Sequence, residues 1–211
     1  MAVHEEQTAP EKSTAEDAVH KRIINGARLN FFTHGLRGVT MDDLAGELGM
    51  SKKTLYAHFS SKTALVEAMI LDKFREVESE LEEITIDWSA DFSGVLQKIL
   101  ARLQRQTGEI KPPFLRDIGR EAPEIFELIQ TRRRELVQRY FGRLLEGGRK
   151  AGIIRNDIPA ELIMEILLGA VHAIMNPPKM AQLDITPKTG FSAIISVILE
   201  GIITGNGRLK P

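Results

Sequence analysis

The sequence predicts an all-α protein of about nine helices, with a three-helix unit containing a helix-turn-helix on the N-terminal side and a larger helical domain behind it. Three observations carry that prediction. Apolar residues recur at three- and four-residue spacing along most of the chain, with little of the alternation that strands need. Two helix-start signals, Thr40 and Ser51, stand either side of a turn at Gly49. Proline and glycine then punctuate the remainder at intervals that suit helices rather than hairpins.

The helix-turn-helix is the densest signal. Thr40 and Ser51 are N-cap candidates, because a hydroxyl there satisfies a first-turn amide that has no helical partner. Asp43, three residues after Thr40, approximates a capping box with a shorter acid than the usual Glu. The first of the two helices buries Leu44, Ala45 and Leu48; Gly49 supplies the permissive backbone of the turn, and Met50 fills the corner. The second puts Leu55 and Phe59 on one face, four residues apart, and leaves Lys52, Lys53, Thr54, Tyr56 and His58 mostly on the others. Lysines in a first turn oppose the positive end of the helix dipole. Phosphates and base edges reverse that sign, so this helix reads as an anion-seeking surface.

A fourth helix starts near Ser61, with Leu65, Met69, Phe74, Val77 and Leu81 on one face, and ties the helix-turn-helix to the larger domain. Trp88 falls in a loop. Phe92, Val95, Ile99 and Leu103 outline a fifth helix ending near Gly108. Pro112 and Pro113 break the chain before a short apolar piece at Phe114 to Ile118. Pro123 opens a seventh helix that runs to about Ala151 and ends at Gly152. Pro159 leads into an eighth, Ala160 to Met175, which Asn176, Pro177 and Pro178 are expected to stop. A ninth spans about Thr189 to Thr204. The expected division is a disordered tail over 1–15, a helix-turn-helix unit over 16–60 and a second helical domain over 61–211.

Composition narrows the class. The 211 residues include no cysteine, which removes disulfides, thiolate catalysis and cysteine-built metal sites. The polar start of the chain lacks the apolar core of a signal peptide, and no run of about 18 apolar residues occurs, so a cytoplasmic protein without membrane contact is expected. Net charge is −1 overall. Between Glu16 and Lys73 eight basic residues face seven acidic ones, 8 − 7 = +1, and no acid lies between Lys52 and Lys62. Such local charge suits one helix entering a groove. No GxSxG, HExxH, GxxxxGK or GxGxxG pattern occurs and the five histidines are scattered, so neither an enzyme nor a metal or other cofactor is expected.

Together Thr40, Leu44, Ala45, Gly49, Ser51, Leu55, Tyr56, His58, Phe59, Lys62 and Leu65 resemble the TetR family of bacterial transcriptional regulators, over about residues 16–72. Ile23, Ala27, Phe32 and Gly35 fall where that family has its first helix and its end; Leu36 and Met50 are apolar departures from it. The resemblance implies a double-stranded DNA operator as partner. Lys52, Lys53 and Thr54 are assigned to base edges; Thr40, Ser51, Tyr56, His58 and Lys62 to the DNA backbone.

The eighth and ninth helices carry Ile163, Ile166, Leu167, Val171, Ile194, Ile195, Val197 and Ile198 around more than one face. Such helices need more cover than one chain offers, which points to a homodimer through this pair. The family resemblance implies the same, together with a small-molecule effector among the middle helices, hydrophobic or aromatic in character, whose binding releases a repressor from its inverted-repeat operator. Trp88, Phe114, Phe126, Met164, His172 and Met175 are the candidate effector contacts, though each also fits an ordinary core position. Arg132, Arg133 and Arg134 read as a solvated face paired with Glu124, Glu127 and Glu135. A constitutive DNA-binding protein without ligand is the alternative, and a solid second domain would favour it.

Overall fold

The computed structural model describes residues 9–85 and 92–203, and these form ten helices with no β-strand among them. Helix α1 spans Ala9–His34, α2 Met41–Glu47, α3 Lys52–His58, α4 Lys62–Thr85 and α5 Phe92–Gly108. Helix α6 spans Pro112–Glu121, α7 Pro123–Lys150, α8 Ala160–Ile174, α9 Pro177–Gln182 and α10 Pro187–Ile202. The expected all-α class stands, with one helix more than anticipated.

Several helix starts differ from expectation. Helix α1 is described from Ala9, inside the stretch expected to be tail. Residues 1–8 and Trp88 lie outside the described residues. Asn176, Pro177 and Pro178 do not merely stop α8. The Asn176 side chain accepts the Lys179 amide at 3.0 Å and, with Pro177 in the first turn, it opens the six-residue α9. Thr186 and Thr189 then form a reciprocal capping box that starts α10 ahead of Thr189.

The packing divides into two main cores. One is built from Ile23, Ala27 and Phe31 of α1, Leu44 of α2, Leu55 of α3 and Leu65 and Met69 of α4, and it extends to Phe114, Ile118 and Ile125 of α6 and α7. The other joins α5, α7, α8 and α10 through residues such as Leu145, Ile154, Leu167 and Ile195. A smaller cluster of Val77, Leu81, Val95, Ile99 and Tyr140 sits between α4, α5 and α7. The helix-turn-helix therefore shares its core with α6 and with the start of α7. A boundary at residue 60 divides the chain without dividing the packing.

Candidate nucleic-acid interface and ligand cavity

Helices α2 and α3 are each short, and their caps fix where they begin. Thr40 Oγ1 accepts the Asp43 amide at 3.1 Å while Asp43 Oδ2 accepts the Thr40 amide at 3.0 Å. The full capping box forms even with Asp in place of Glu. The Thr40 hydroxyl and amide hold the Asp43 carboxyl below the usual carboxylate range. Ser51 Oγ accepts the Thr54 amide at 3.0 Å and lies 2.8 Å from the Thr54 hydroxyl. Between them Gly49 takes a φ of +62°, the left-handed turn expected of it.

Leu55 is fully buried and Phe59 closes the same side, so α3 is anchored by one face only. Ser51, Lys52, Lys53, Thr54 and Tyr56 are exposed on the other, and His58 is half-buried beside His20 of α1, with ring centroids 6.2 Å apart. Six of the eight candidate DNA residues, Thr40, Ser51, Lys52, Lys53, Thr54 and Tyr56, thus reach solvent on the α2–α3 unit. Asp42 is a further member of this surface: its carboxylate pairs with Lys52 at 2.8 Å and holds that ammonium above the usual lysine value. A pair ten residues apart across a tight turn has no sequence periodicity that would reveal it.

Lys62 behaves differently from the others. Its Nζ donates to the Leu36 carbonyl and, at 2.6 Å, to the Val39 carbonyl, and it lies 5.6 Å from the centre of the Phe31 ring. Burial lowers its pKa against the pull of Asp117 and Glu121. Its ammonium is directed to the α1–α2 connection rather than to open solvent.

The same connection is gripped from behind by α6. Gly35 turns with φ +80°, after which the Arg37 amide donates to Asp117 Oδ2 at 2.9 Å and the Arg37 guanidinium pairs with Glu121 at 2.8 Å. The Lys111 amide donates to the Phe32 carbonyl at 3.0 Å. On the other side α1 is tied to α4 by Lys21 and Arg28 on the buried Asp72, at 2.7 and 2.6 Å, and by Arg28 on Glu76.

A cavity of about 200 Å³ lies among α4, α5, α6, α7 and α10, walled by apolar residues such as Phe74, Leu96, Ile118, Phe126 and Phe191. Of the candidate effector contacts, Phe114, Phe126 and Met175 line it. Met164 packs against the second core and does not line it, and His172 is exposed, on the outward arc of α8 that also carries Leu162 and Ile166. The apolar setting of His172 in the sequence is an outward stripe rather than an inward one.

The arginine cluster matches expectation only in part. Arg132 pairs with Glu135 at 3.0 Å on the surface, as expected. Arg133 instead lines the cavity, where Nη1 donates to Gln130 Oε1 at 2.8 Å and to the Met175 carbonyl at 3.0 Å. Burial pushes its pKa down to about 10. A signal for this exists in the sequence: residue 133 stands seven after Phe126, four after Ile129 and four before Val137, in the apolar stripe itself.

A family model for bacterial regulatory proteins of the tetR family matches residues 23–69, which run from the buried start of the α1 core to Met69 of α4. The HTH-type transcriptional regulator UidR of Escherichia coli strain K12 is 22% identical over 92% of this chain and 97% of its own length. Residues 23–69 thus carry a tetR-family regulatory-protein unit. The TetR-family fold extends through the second domain. A TetR-family transcriptional regulator from Agrobacterium tumefaciens superposes with a TM-score of 0.65 over 89% of this chain and 99% of that one, at 18% identity. The flavonoid-responsive regulator FrrA superposes with a TM-score of 0.53 over 90% and 99%, at 23% identity. Among the described residues no helix is long and apolar enough to cross a membrane, and no group of three or more His, Asp and Glu side chains could hold a metal.

Proposed function

We propose that this regulator is a cytoplasmic repressor that binds an inverted-repeat operator as a homodimer and releases it when a small molecule fills the cavity. The observation that carries the DNA part is the presentation of α3, anchored by Leu55 and offering Lys52, Lys53, Thr54 and Tyr56 to solvent. In a groove, Lys52 exchanges Asp42 for DNA, and with Lys53 and Thr54 it reads base edges. Thr40, Ser51, Tyr56 and His58 meet the backbone. Residues 16–60 act as the reading unit and 61–211 as the effector-binding and dimerisation part.

Support for the dimer comes from α8 and α10. Leu162 and Ile166 are about half exposed, at 51% and 53%, and Val197 is 72% exposed, with Ala193 and Gly201 on the same open side of α10. Ile163, Leu167, Ile194 and Ile195 are already covered within the chain, so the open faces are narrower than the sequence suggested. A two-fold axis through this pair would set two α3 helices against half-sites about 34–36 Å apart.

The cavity supports ligand control over the constitutive alternative. Its wall is shared by α4 and α6, and both hold α1 or its exit, through Asp72 and through Asp117. A ligand that moves either helix therefore moves the reading unit. A coupling of about 1–3 kcal/mol would change operator affinity roughly 5- to 150-fold. The responsiveness of FrrA to flavonoids is consistent with an apolar or aromatic effector. Selection of bound duplexes from a random pool by the purified protein tests the reading: an enriched inverted repeat is expected, and recovery of unrelated sequences from a folded protein would refute it.

A further inference from the structure

We propose that the cavity takes an apolar carboxylic acid, whose carboxylate is bound by the Arg133 guanidinium. The inference rests on the reading of this cavity as an effector site and names the chemical class that fits it.

Among the described residues four polar side chains line the otherwise apolar wall: Lys73, Gln106, Arg133 and Tyr140. Three are committed elsewhere. Lys73 Nζ is paired with Glu109 at 2.5 Å, so its charge is already balanced. The Tyr140 hydroxyl donates to Glu82 at 2.9 Å and lies 3.2 Å from the Glu78 carbonyl. Gln106 gives its amide N–H groups to Glu80 and Glu76; since carboxylates only accept, this orientation is fixed and leaves Oε1, an acceptor of no use to an anion.

Arg133 remains. Both of its hydrogen bonds use Nη1, and both go to neutral oxygens. It has no carboxylate partner among the described residues, and Nε and Nη2 have no partner there either. A guanidinium keeps its proton at neutral pH even with burial opposing it. A part-buried cation facing an apolar cavity without a counter-ion is costly, and an apolar residue would serve stability as well or better. An arriving carboxylate supplies the missing charge and a planar acceptor for the Arg fork. The apolar remainder of the ligand lies against Phe114, Phe126 and Phe191.

The competing explanation is structural: Arg133 could serve only to hold the Met175 carbonyl at the C-terminal end of α8. Isothermal titration of the full-length protein with decanoate and with decan-1-ol at neutral pH separates the two. The pair shares one tail and differs in charge. Wild type is expected to bind the acid more tightly than the alcohol, by roughly tenfold or more for a charge-assisted contact. Arg133→Met is expected to abolish or invert that preference. Arg133→Gln, which keeps a donor for the Met175 carbonyl, is expected to behave like Arg133→Met in binding while folding like wild type. No preference for the acid in wild type, binding of neither compound, or a preference that survives in Arg133→Gln would each overturn the assignment. Release of selected operator DNA is measured separately by mobility shift. Acid binding through Arg133 without release leaves the ligand assignment standing and removes the effector reading.

Discussion

Replacing Gly35 by alanine strikes the seam between the reading unit and the cavity wall. The residue sits at φ +80°, where an L side chain costs about 1–2 kcal/mol over glycine. An added Cβ would also lie 2.5 Å from Asp117 Oδ2 and 3.0 Å from the backbone of Pro113. The carboxylate can yield only by turning away, and in doing so it gives up the 2.9 Å bond from the Arg37 amide, a charge-assisted contact worth about 1.5–3 kcal/mol when buried. The sum is roughly 2.5–5 kcal/mol. At about 2–4 °C per kcal/mol for a chain of this size, Gly35→Ala should lower the melting temperature by roughly 10 °C, read by circular dichroism of the helices. The double substitution gives the sharper check. In an Asp117→Ala background the carboxylate clash and the lost bond are already absent, so Gly35→Ala should cost only the left-handed penalty and the tight Pro113 backbone contact. Equal costs in the two backgrounds, or a shift under about 2 °C in the first, would refute the reasoning.

Lys53→Ala should relax discrimination at one or two base pairs of the selected operator, by about 1–3 kcal/mol each, and leave random duplex binding nearly unchanged; competition binding with single-base operator variants measures this. Lys62→Met should lower stability and weaken specific and random DNA together, while the slope of log affinity against log salt stays as in wild type. A slope reduced by about one would instead identify Lys62 as a phosphate contact. Leu55→Ala removes the only fully buried anchor of α3 and should cost about 2–5 kcal/mol, with operator binding lost before the protein unfolds. The Tyr140 hydroxyl is the first cause of the lowered Glu82 pKa. A depressed acid stabilises the fold above its unfolded value and loses that contribution as pH falls through the folded one. The stability gap between wild type and Tyr140→Phe should therefore be open at neutral pH and close under acid, as pH titrations of thermal melting would show.

The fold was legible where local rules act without competition. Thr40, Ser51 and Gly49 specify two caps and a turn, and each is found doing that. Pro123 and Gly152 bound α7 for the same reason. Proline after asparagine is ambiguous, since the pair can end one helix and cap the next; at Asn176 it does both, and α9 is the helix that the sequence did not disclose. The exposed face of α3 was readable from Leu55 and Phe59 alone. The engagement of Lys62 by Leu36 and Val39, the Asp42 partner of Lys52 and the inward aim of Arg133 depend on chain crossings that periodicity does not encode. For Arg133 the charge of its neighbours outweighed its register, and register was the better guide. His172 shows the converse, an apolar sequence neighbourhood that faces solvent.

The shared core of α1 to α4 with Phe114, Ile118 and Ile125 has a consequence for how such a protein can be rebuilt. A reading head cut out at residue 60 would leave Phe31, Phe32 and Leu55 without much of their cover, and it would not be an interchangeable cartridge. Transplanting the specificity of this head onto another sensor would have to carry the whole seam: Gly35, Arg37, the two carbonyls under Lys62, and the face of α6 that bears Asp117. Exchange confined to the outward residues of α3 leaves the seam intact. New operators are therefore most accessible by changing a few side chains at 52–56, and new ligands by changing the cavity wall away from α6.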